Sequence, residues 1–169
     1  PRMLDKTTDR AACAQAWLGD FERARGRPDP ATLDRLFLAD SFWRDVLALS
    51  WNLQTIAGRE TIAQALAALA PKAAPTNFKI APNRAPPRWV TRAGSNTIEA
   101  IFTFETATGR GSGILRLIPD KTDGDRLKAW TLLTALDELK GFEEQLGTSR
   151  PRGQAYSRDF RGPTWLDWR

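Results

Sequence analysis

The amino-acid sequence predicts an α+β fold in which helices cover one face of a curved antiparallel sheet. Three helix-like segments precede Pro71, whereas five segments that alternate between polar and apolar residues follow it. The last three alternating segments are long and joined by short turns, which predicts an antiparallel meander. Helices grouped in one part of the chain and strands in another are typical of the α+β class. We expect one domain over residues 1–146 and an arm over residues 147–169.

The helices are predicted from apolar spacing and from helix start signals. Residues 8–25 form the first helix, because large apolar side chains recur there every three or four residues. Asp29 followed by Pro30 predicts the start of a second, short helix, since aspartate caps a helix N-terminus and proline suits its first position. The third helix follows Gly58 and has the sequence RETIAQALAALA.

Strands are predicted on both sides of the third helix. Residues 41–57 are aromatic and β-branched enough for two short strands. The five segments after Pro71 are TNFKIA, RWVTRA, NTIEAIFTFET, GSGILRLIP and DRLKAWTLLTAL. In the three long ones, one set of alternate residues is small or apolar and suits a helix-covered interior.

The opposite face of these long strands carries more hydrocarbon than a face meant only for water. Glu99, Arg116 and Lys128 can pair across strands there, but large apolar residues lie between them. We therefore expect another chain or domain to cover this face. With two tryptophans of the arm, the predicted partner surface consists of Ile101, Ile114, Trp130, Leu132, Trp165 and Trp168.

The arm, GTSRPRGQAYSRDFRGPTWLDWR, mixes arginines with four aromatic side chains. A disordered tail is normally poor in aromatic residues, so we expect this arm to be bound to a protein surface. Two interpretations stay open, because the arm either wraps onto its own domain or docks onto a neighbouring one.

The composition excludes several classes of function. The chain has no histidine, which removes Ser-His and Cys-His nucleophile pairs, histidine bases and ordinary histidine-containing metal sites. Cys13 is the only cysteine, so no intrachain disulfide is expected, in keeping with a cytoplasmic protein. The basic segments behind the net charge of +5 contain no nucleic-acid recognition motif, and we expect no nucleic-acid partner. No apolar run is long enough to span a membrane.

Several strings of the sequence resemble one known family. FWRDVLALSWNLQTIAGRETI, GRGSGILRLIP, AWTLLTALDELKG and GPTWLDWR are similar to the N-terminal domain of bacterial and fungal flavin-containing monooxygenase-like proteins. The order of elements resembles the cone-shaped, cystatin-like roll shared by nuclear transport factor two, ketosteroid isomerase and the SnoaL-like polyketide cyclases. The resemblance implies three helices on a curved sheet, next to a separate module that binds FAD and NADPH. The sequence lacks GxGxxG, the phosphate-binding turn of such a module, so we expect no cofactor in this chain.

Asp45 is the candidate catalytic residue, because it is a charged residue inside the apolar stretch LFLADSFWRDVLALSW. The resemblance to ketosteroid isomerase places it where that enzyme has its general base, and desolvation raises a carboxylate's pKa toward the range that suits this role. The isomerase also needs hydroxyl or protonated-acid donors for an enolate, whereas the helix that should present a tyrosine offers Trp17 and Phe21. Three roles stay open for Asp45: a strand-end carboxylate that accepts N–H bonds, a polar group in a binding pocket, or a catalytic base.

We therefore expect a non-catalytic scaffold domain that packs on a flavin-dependent monooxygenase-like module. Two alternatives stay open: a small-molecule isomerase or cyclase that uses Asp45, and a homodimeric protein that binds a small hydrophobic ligand. The predicted apolar pocket is either open to such a ligand or filled by its own side chains. It consists of Trp17, Phe21, Trp43, Asp45, Trp51, Phe102 and Phe104.

Overall fold

The structure, a computed structural model, describes residues 9–24 and 29–150. These residues form three α-helices and a seven-stranded sheet, followed by a short 3-10 turn at Gly147–Ser149. The helices are α1 (Arg10–Ala24), α2 (Pro30–Leu36) and α3 (Arg59–Ala73). The strands are β1 (Phe37–Val46), β2 (Leu53–Ala57), β3 (Thr76–Ile80), β4 (Arg88–Arg92), β5 (Ser95–Glu105), β6 (Gly109–Asp120) and β7 (Arg126–Leu139). The arm's Trp165 and Trp168, which we predicted for the partner surface, lie outside the described residues.

The strands form one curved sheet in the order β2-β1-β7-β6-β5-β3, and β4 also pairs with β5. Neighbouring strands are antiparallel except β1 and β7, which run parallel. The predicted α+β class, with three helices on a curved sheet, is confirmed, but the sheet is mixed and not wholly antiparallel. A sequence reveals antiparallel pairing only where a short turn joins two strands, and most of the domain lies between β1 and β7.

The helix start signals act as predicted. The Asp29 carboxylate accepts hydrogen bonds from the Thr32 backbone N–H at 2.9 Å and from the Thr32 hydroxyl at 2.6 Å. These bonds hold the pKa of Asp29 below its usual value. Helix α2 is short, and β1 begins at Phe37, earlier than the predicted start at residue 41. Helix α3 follows Gly58, whose φ of 86° suits glycine.

Helix α1 packs against β3, at the edge of the sheet, and side chains of α1 form hydrogen bonds with the backbone groups of β3. The Gln15 amide donates to the Phe78 carbonyl at 3.3 Å and accepts from the Ile80 N–H at 3.2 Å. The Glu22 carboxylate accepts from the N–H groups of Asn77 at 2.9 Å and Phe78 at 3.2 Å. Because the free groups of an edge strand can pair with other chains, these side chains protect β3 from unwanted pairing.

A β-bulge in β7 changes which residues face the interior. The register with β6 skips Trp130, because Ala129 and Thr131 pair with consecutive β6 residues. One extra residue moves the side chains that follow it, through Leu136, to the opposite face from that given by simple alternation, and a second register shift follows at Asp137. Leu132, predicted on the partner surface, is therefore a core residue that is 2% exposed, and Leu133 faces outward in its place. The prediction for Leu132 was wrong because alternation assumes an unbroken strand.

Candidate functional site

Asp45 lies near the end of β1 and has no exposed surface. Its Oδ1 accepts hydrogen bonds from the Thr134 hydroxyl at 2.6 Å and the Leu49 backbone N–H at 3.2 Å. Its Oδ2 accepts from the Leu49 N–H at 3.1 Å, and from the Ser50 N–H at 2.8 Å and hydroxyl at 2.7 Å. Each oxygen therefore has at least two donors, which is how a buried carboxylate compensates for lost water.

Thr134 connects this carboxylate to Trp43. The Trp43 indole N–H donates to the Thr134 hydroxyl at 2.9 Å, and that hydroxyl donates in turn to Asp45. All three side chains are buried, so the chain of bonds ties β1 to β7 in the interior. Sequence reasoning missed Thr134, because simple alternation along β7 puts it on the outer face and only the bulge turns it inward.

Asp45 also fixes the turn that follows β1. The turn covers residues 47–52 and places Leu47 at a φ of 60° and Trp51 at a φ of 58°. Side chains other than glycine rarely adopt this left-handed region, so surrounding contacts must hold the backbone there. A general base needs a lone pair within reach of a substrate. The buried Asp45, with donors from β7 and the turn on both oxygens, has the geometry of a structural clamp.

The predicted apolar pocket is occupied by aromatic rings. Ring centroids lie from 5.1 Å apart, for Trp17 and Phe21, to 6.1 Å apart, for Phe21 and Phe37. Phe78, which sequence reasoning missed, stacks on Phe104 at 5.3 Å. The buried rings are those of Trp17, Phe21, Phe37, Trp43, Phe78, Phe102 and Phe104.

Two glycines of β6 provide the space for these rings. A Cβ at Gly113 would lie 2.3 Å from the Phe102 ring, and a Cβ at Gly111 would lie 2.5 Å from the Phe104 ring. The rings therefore lie directly against the β6 backbone. Gly111 and Gly113 lie in the segment predicted as a strand, and β6 begins slightly earlier than predicted, at Gly109.

Trp51 does not belong to this interior cluster. Its side chain is 56% exposed, because the chain leaves β1 at Val46 and the following turn directs Trp51 into solvent. The sequence suggested a pocket residue because the apolar run continues through the turn. The structure places Trp51 on the surface, several residues beyond the buried Trp43 and Asp45.

An apolar stripe crosses the outer face of the sheet. The register places Leu133 of β7 beside Ile114 of β6, and Ile114 beside Ile101 of β5. Ile101 and Ile114 thus lie where the sequence predicts them, half-buried on the outer face. The neighbouring strand β1 adds Phe42, which is 42% exposed, and the half-buried Val46. We call these residues the apolar stripe: Phe42, Val46, Ile101, Ile114 and Leu133.

Solved structures with this arrangement of helices and strands include those of two bacterial proteins. A nuclear transport factor 2-like superfamily protein from Salmonella enterica is 10% identical, with a TM-score of 0.51 over 86% of this chain and 99% of that chain. A protein of unknown function from Shewanella baltica is 9% identical, with a TM-score of 0.51 over 80% of this chain and 99% of that chain. The chain has the nuclear transport factor 2-like fold. No family model and no curated protein matches the sequence, and at these identities the likeness shows the fold alone.

On this nuclear transport factor 2-like domain, a basic network lies on one side of the apolar stripe along the strand direction. Glu99 of β5 binds Arg116 at 2.9 Å, Arg92 at 3.0 Å and Arg88 at 3.8 Å. The hydrogen bond from Arg92, with that from Arg116, holds the pKa of Glu99 below its usual value despite partial desolvation. Three arginines on one glutamate leave this end of the face positive.

The opposite arrangement of charges lies on the other side of the stripe. Arg110 of β6 binds Glu143 at 2.9 Å, Glu138 at 3.1 Å and Glu105 at 3.7 Å. The hydrogen bond from Arg110 lowers the pKa of Glu143 to about 2. Lys140 also lies 3.7 Å from Glu105, so two cations among three glutamates leave this end weakly negative, and the outer face of the domain is polarised along its strands.

Trp130 lies beside a polar cleft on the same side of the domain. The cleft has a volume of about 690 Å³ and contains the ion pairs of Lys128 with Asp120 at 2.8 Å and with Asp123 at 3.1 Å. The hydrogen bond from Lys128, with those from Thr122, lowers the pKa of Asp120 to about 2. Among the described residues, no group of three or more carboxylate, cysteine or histidine side chains is arranged to hold a metal ion.

A second cleft, of about 780 Å³, opens between α1, α2 and the turn that joins β6 to β7. Trp17, Leu36 and Leu127 form apolar walls, and the Trp17 indole N–H donates to the Leu36 carbonyl at 2.8 Å. Asp20 and Arg126 lie among its charged lining residues. Within residues 9–24 and 29–150, no helix is long and apolar enough to cross a membrane.

Proposed function

We propose that this chain is a non-catalytic scaffold domain that packs through the outer face of its sheet on another protein module. The observation that carries the proposal is the apolar stripe between a basic and an acidic network. A sheet face that contacts only solvent rarely carries five apolar side chains on adjacent strands. An interface, in contrast, has an apolar centre and a charged rim. Trp130, half-buried beside the stripe, extends this surface.

The partner that we propose is an FAD- and NADPH-dependent monooxygenase-like module. This identity rests on the sequence resemblance alone, and the chain itself supplies no phosphate-binding turn for either cofactor. In such a protein, the domain described here would support the oxidoreductase and shape access to it, while FAD and NADPH would bind elsewhere.

The state of Asp45 supports a role without catalysis. An isomerase or cyclase would need its base to face a cavity and to act beside donors that stabilise an enolate. The Asp45 oxygens instead accept bonds from Thr134, Leu49 and Ser50, and aromatic rings occupy the adjoining interior. Asp45→Asn, assayed with a Δ5-ketosteroid or a related enolisable ketone, tests this point; turnover by the parent chain that the variant loses would contradict the proposal.

Self-association through the same face is a second candidate, which the charge distribution favours. A twofold axis that lies across the strands would bring the three arginines around Glu99 opposite the three glutamates around Arg110 of another copy. In that case the cleft lined by Trp17 is the place where a small hydrophobic ligand would bind.

Two measurements test the scaffold proposal and separate it from self-association. The coding sequence after Arg169 should continue into a strand and a GxGxxG turn; an unrelated continuation or a stop codon contradicts the flavin partner. Sedimentation velocity on this chain, with and without Leu133→Glu, tests the face itself. A dimer that Leu133→Glu dissociates, and that the exposed-helix control Gln64→Glu leaves intact, establishes self-association and contradicts packing on a separate module.

A further inference from the structure

Strand β2 is an edge of the sheet, and within residues 9–24 and 29–150 it pairs with β1 alone, in an antiparallel register. Directly after β2, the Gly58 N–H donates to the Ser41 carbonyl at 2.8 Å. Residues that bond to the neighbouring strand alternate along an antiparallel ladder, so every second residue before Gly58 also faces β1. The residues between them direct their backbone N–H and C=O groups away from β1, toward the open edge: Leu53, Thr55 and Ala57.

The strands at the opposite margin of the sheet are protected, whereas β2 is not. Side chains of α1 bond to the backbone of β3, and β4 begins and ends with the exposed arginines Arg88 and Arg92. Charged side chains on an edge strand discourage the addition of another strand. Strand β2, with the sequence LQTIA, has neither charge nor proline, and its Leu53 side chain is 66% exposed. The free edge of β2 is therefore suited to pairing with another strand.

The free edge of β2 is complementary to a second copy of itself. In an antiparallel register that sets Thr55 opposite Thr55 of the other copy, Leu53 of each copy lies opposite Ala57 of the other. All three residues of each copy then direct their free backbone groups at the partner strand, which gives about six backbone hydrogen bonds. A shift of two residues in either direction reduces the number of these bonds within β2 to about four. The symmetric register is therefore the one that uses every free group.

The side chains and charges also allow this register. Threonine lies opposite threonine and leucine opposite alanine, and none of these side chains carries a charge. The nearest charged residue on the same face is Arg44, which lies opposite Thr55 in the ladder and donates to the Thr55 hydroxyl at 3.1 Å. Three strand spacings separate the two copies of Arg44 by about 14 Å, which is beyond the Debye length at physiological salt. Repulsion between the copies is therefore small.

We propose that two copies of the chain pair through the free edges of β2, in the register centred on Thr55, and so join their sheets into one. The exposed Leu53 of each copy is covered by the Ala57 end of the other strand. This interface uses the edge of the sheet and not its outer face. The apolar stripe of each copy therefore stays available for the module proposed above.

Sedimentation equilibrium on the chain and on Thr55→Pro tests the pairing. The parent chain should form a dimer, and Thr55→Pro should raise the dimer Kd about thirtyfold, because each dimer loses two of its backbone hydrogen bonds. Proline is tolerated on an edge strand where the N–H points away from the sheet, so circular dichroism should show an intact fold. Leu133→Glu on the outer face should leave the dimer Kd unchanged. A parent chain that stays monomeric at its highest soluble concentration overturns the proposal, as does a dimer that Leu133→Glu dissociates and Thr55→Pro leaves intact.

A charge exchange at Thr55 tests the register without proline. Thr55→Lys and Thr55→Glu should each raise the dimer Kd about fivefold, because two like charges then lie directly opposite each other. An equimolar mixture of the two variants should form a heterodimer at least as tight as the parent dimer, since lysine then faces glutamate. The matched control is the same pair of substitutions at Thr91, an exposed threonine of the edge strand β4, where neither the variants nor their mixture should change the dimer Kd. A Thr55 mixture that associates as weakly as its components overturns the proposal, because Thr55 would then not face its own copy.

Discussion

Replacing Asp45 distinguishes a structural clamp from a catalytic carboxylate through stability alone. Asp45→Ala removes the acceptor for the Leu49 N–H, the Thr134 hydroxyl and both donors of Ser50. The Leu49 and Thr134 groups then stay buried without a partner, and each such group costs about 1–3 kcal/mol. We therefore expect the free energy of unfolding to fall by about 3–5 kcal/mol, as when one partner of a buried charged network is removed.

Asp45→Asn should fall between the alanine variant and the parent chain. The asparagine amide keeps the shape of the carboxylate and one acceptor oxygen. Its NH2 group, however, faces a donor group that bonded to the second carboxylate oxygen in the parent chain. Loss of one of the two acceptor positions should cost about 1–3 kcal/mol. The control is Asp40→Asn on the same strand, where the side chain is exposed and the change should stay within about 0.5 kcal/mol.

Urea unfolding monitored by circular dichroism measures the three variants. The midpoints should fall in the order parent, Asp45→Asn, Asp45→Ala with an unchanged slope, because only native contacts are altered. Thermal midpoints should follow by about 2–4 °C per kcal/mol for a chain of this size. Residues kept for catalysis often destabilise the fold, so an Asp45→Asn variant as stable as the parent, or more stable, would refute the clamp.

Other parts of the structure give three further tests. Leu132→Glu places a charge in the core and should prevent folding. Leu133→Glu on the outer face should change the free energy of unfolding by less than about 1 kcal/mol. Equal effects of the two variants in urea unfolding would place the β7 bulge elsewhere. Gly113→Ala puts a Cβ 2.1 Å from a backbone oxygen and should lower the free energy of unfolding by about 3 kcal/mol or more. Gly19→Ala in α1, where the nearest atom is 3.5 Å from the new Cβ, should raise it by up to about 1 kcal/mol in the same measurement. The pKa of Asp120 is lowered from 3.8 to about 2, so its contribution to stability is present above pH 3.8 and is lost as the pH falls toward 2; Asp120→Asn should flatten this part of a pH-stability curve, and an unchanged curve would contradict the ion pair with its lysine.

The fold class is accessible from the sequence because its signals are local. The Asp29-Pro30 helix start depends on neighbouring residues, and so do the alternation along β5 and the short turns of the meander. The parallel pairing of β1 with β7 has no such signal, since most of the domain separates the two strands in the sequence. The sequence therefore predicts the elements better than it predicts which distant elements become neighbours.

The candidate site could not be predicted from the sequence for the same reason. Asp45 and Trp43 are conspicuous in the sequence, but Thr134, which joins them, lies far along the chain and faces inward only because of the extra residue at Trp130. A single bulge thus moves Leu132 from the predicted partner surface to the core and brings a hydroxyl group to a carboxylate.

The bulge in β7 also affects the surface of the domain, because it determines the hydrogen bonds of Asp45. Once Thr134 faces inward, Asp45 is fully bonded and its second oxygen is committed to the Ser50 end of the turn. The turn then holds Trp51 in a left-handed conformation with more than half of its side chain exposed. A buried carboxyl group that looks catalytic in the sequence therefore has a structural effect beyond the core, because the hydrogen bonds it makes there fix the turn that carries an exposed tryptophan.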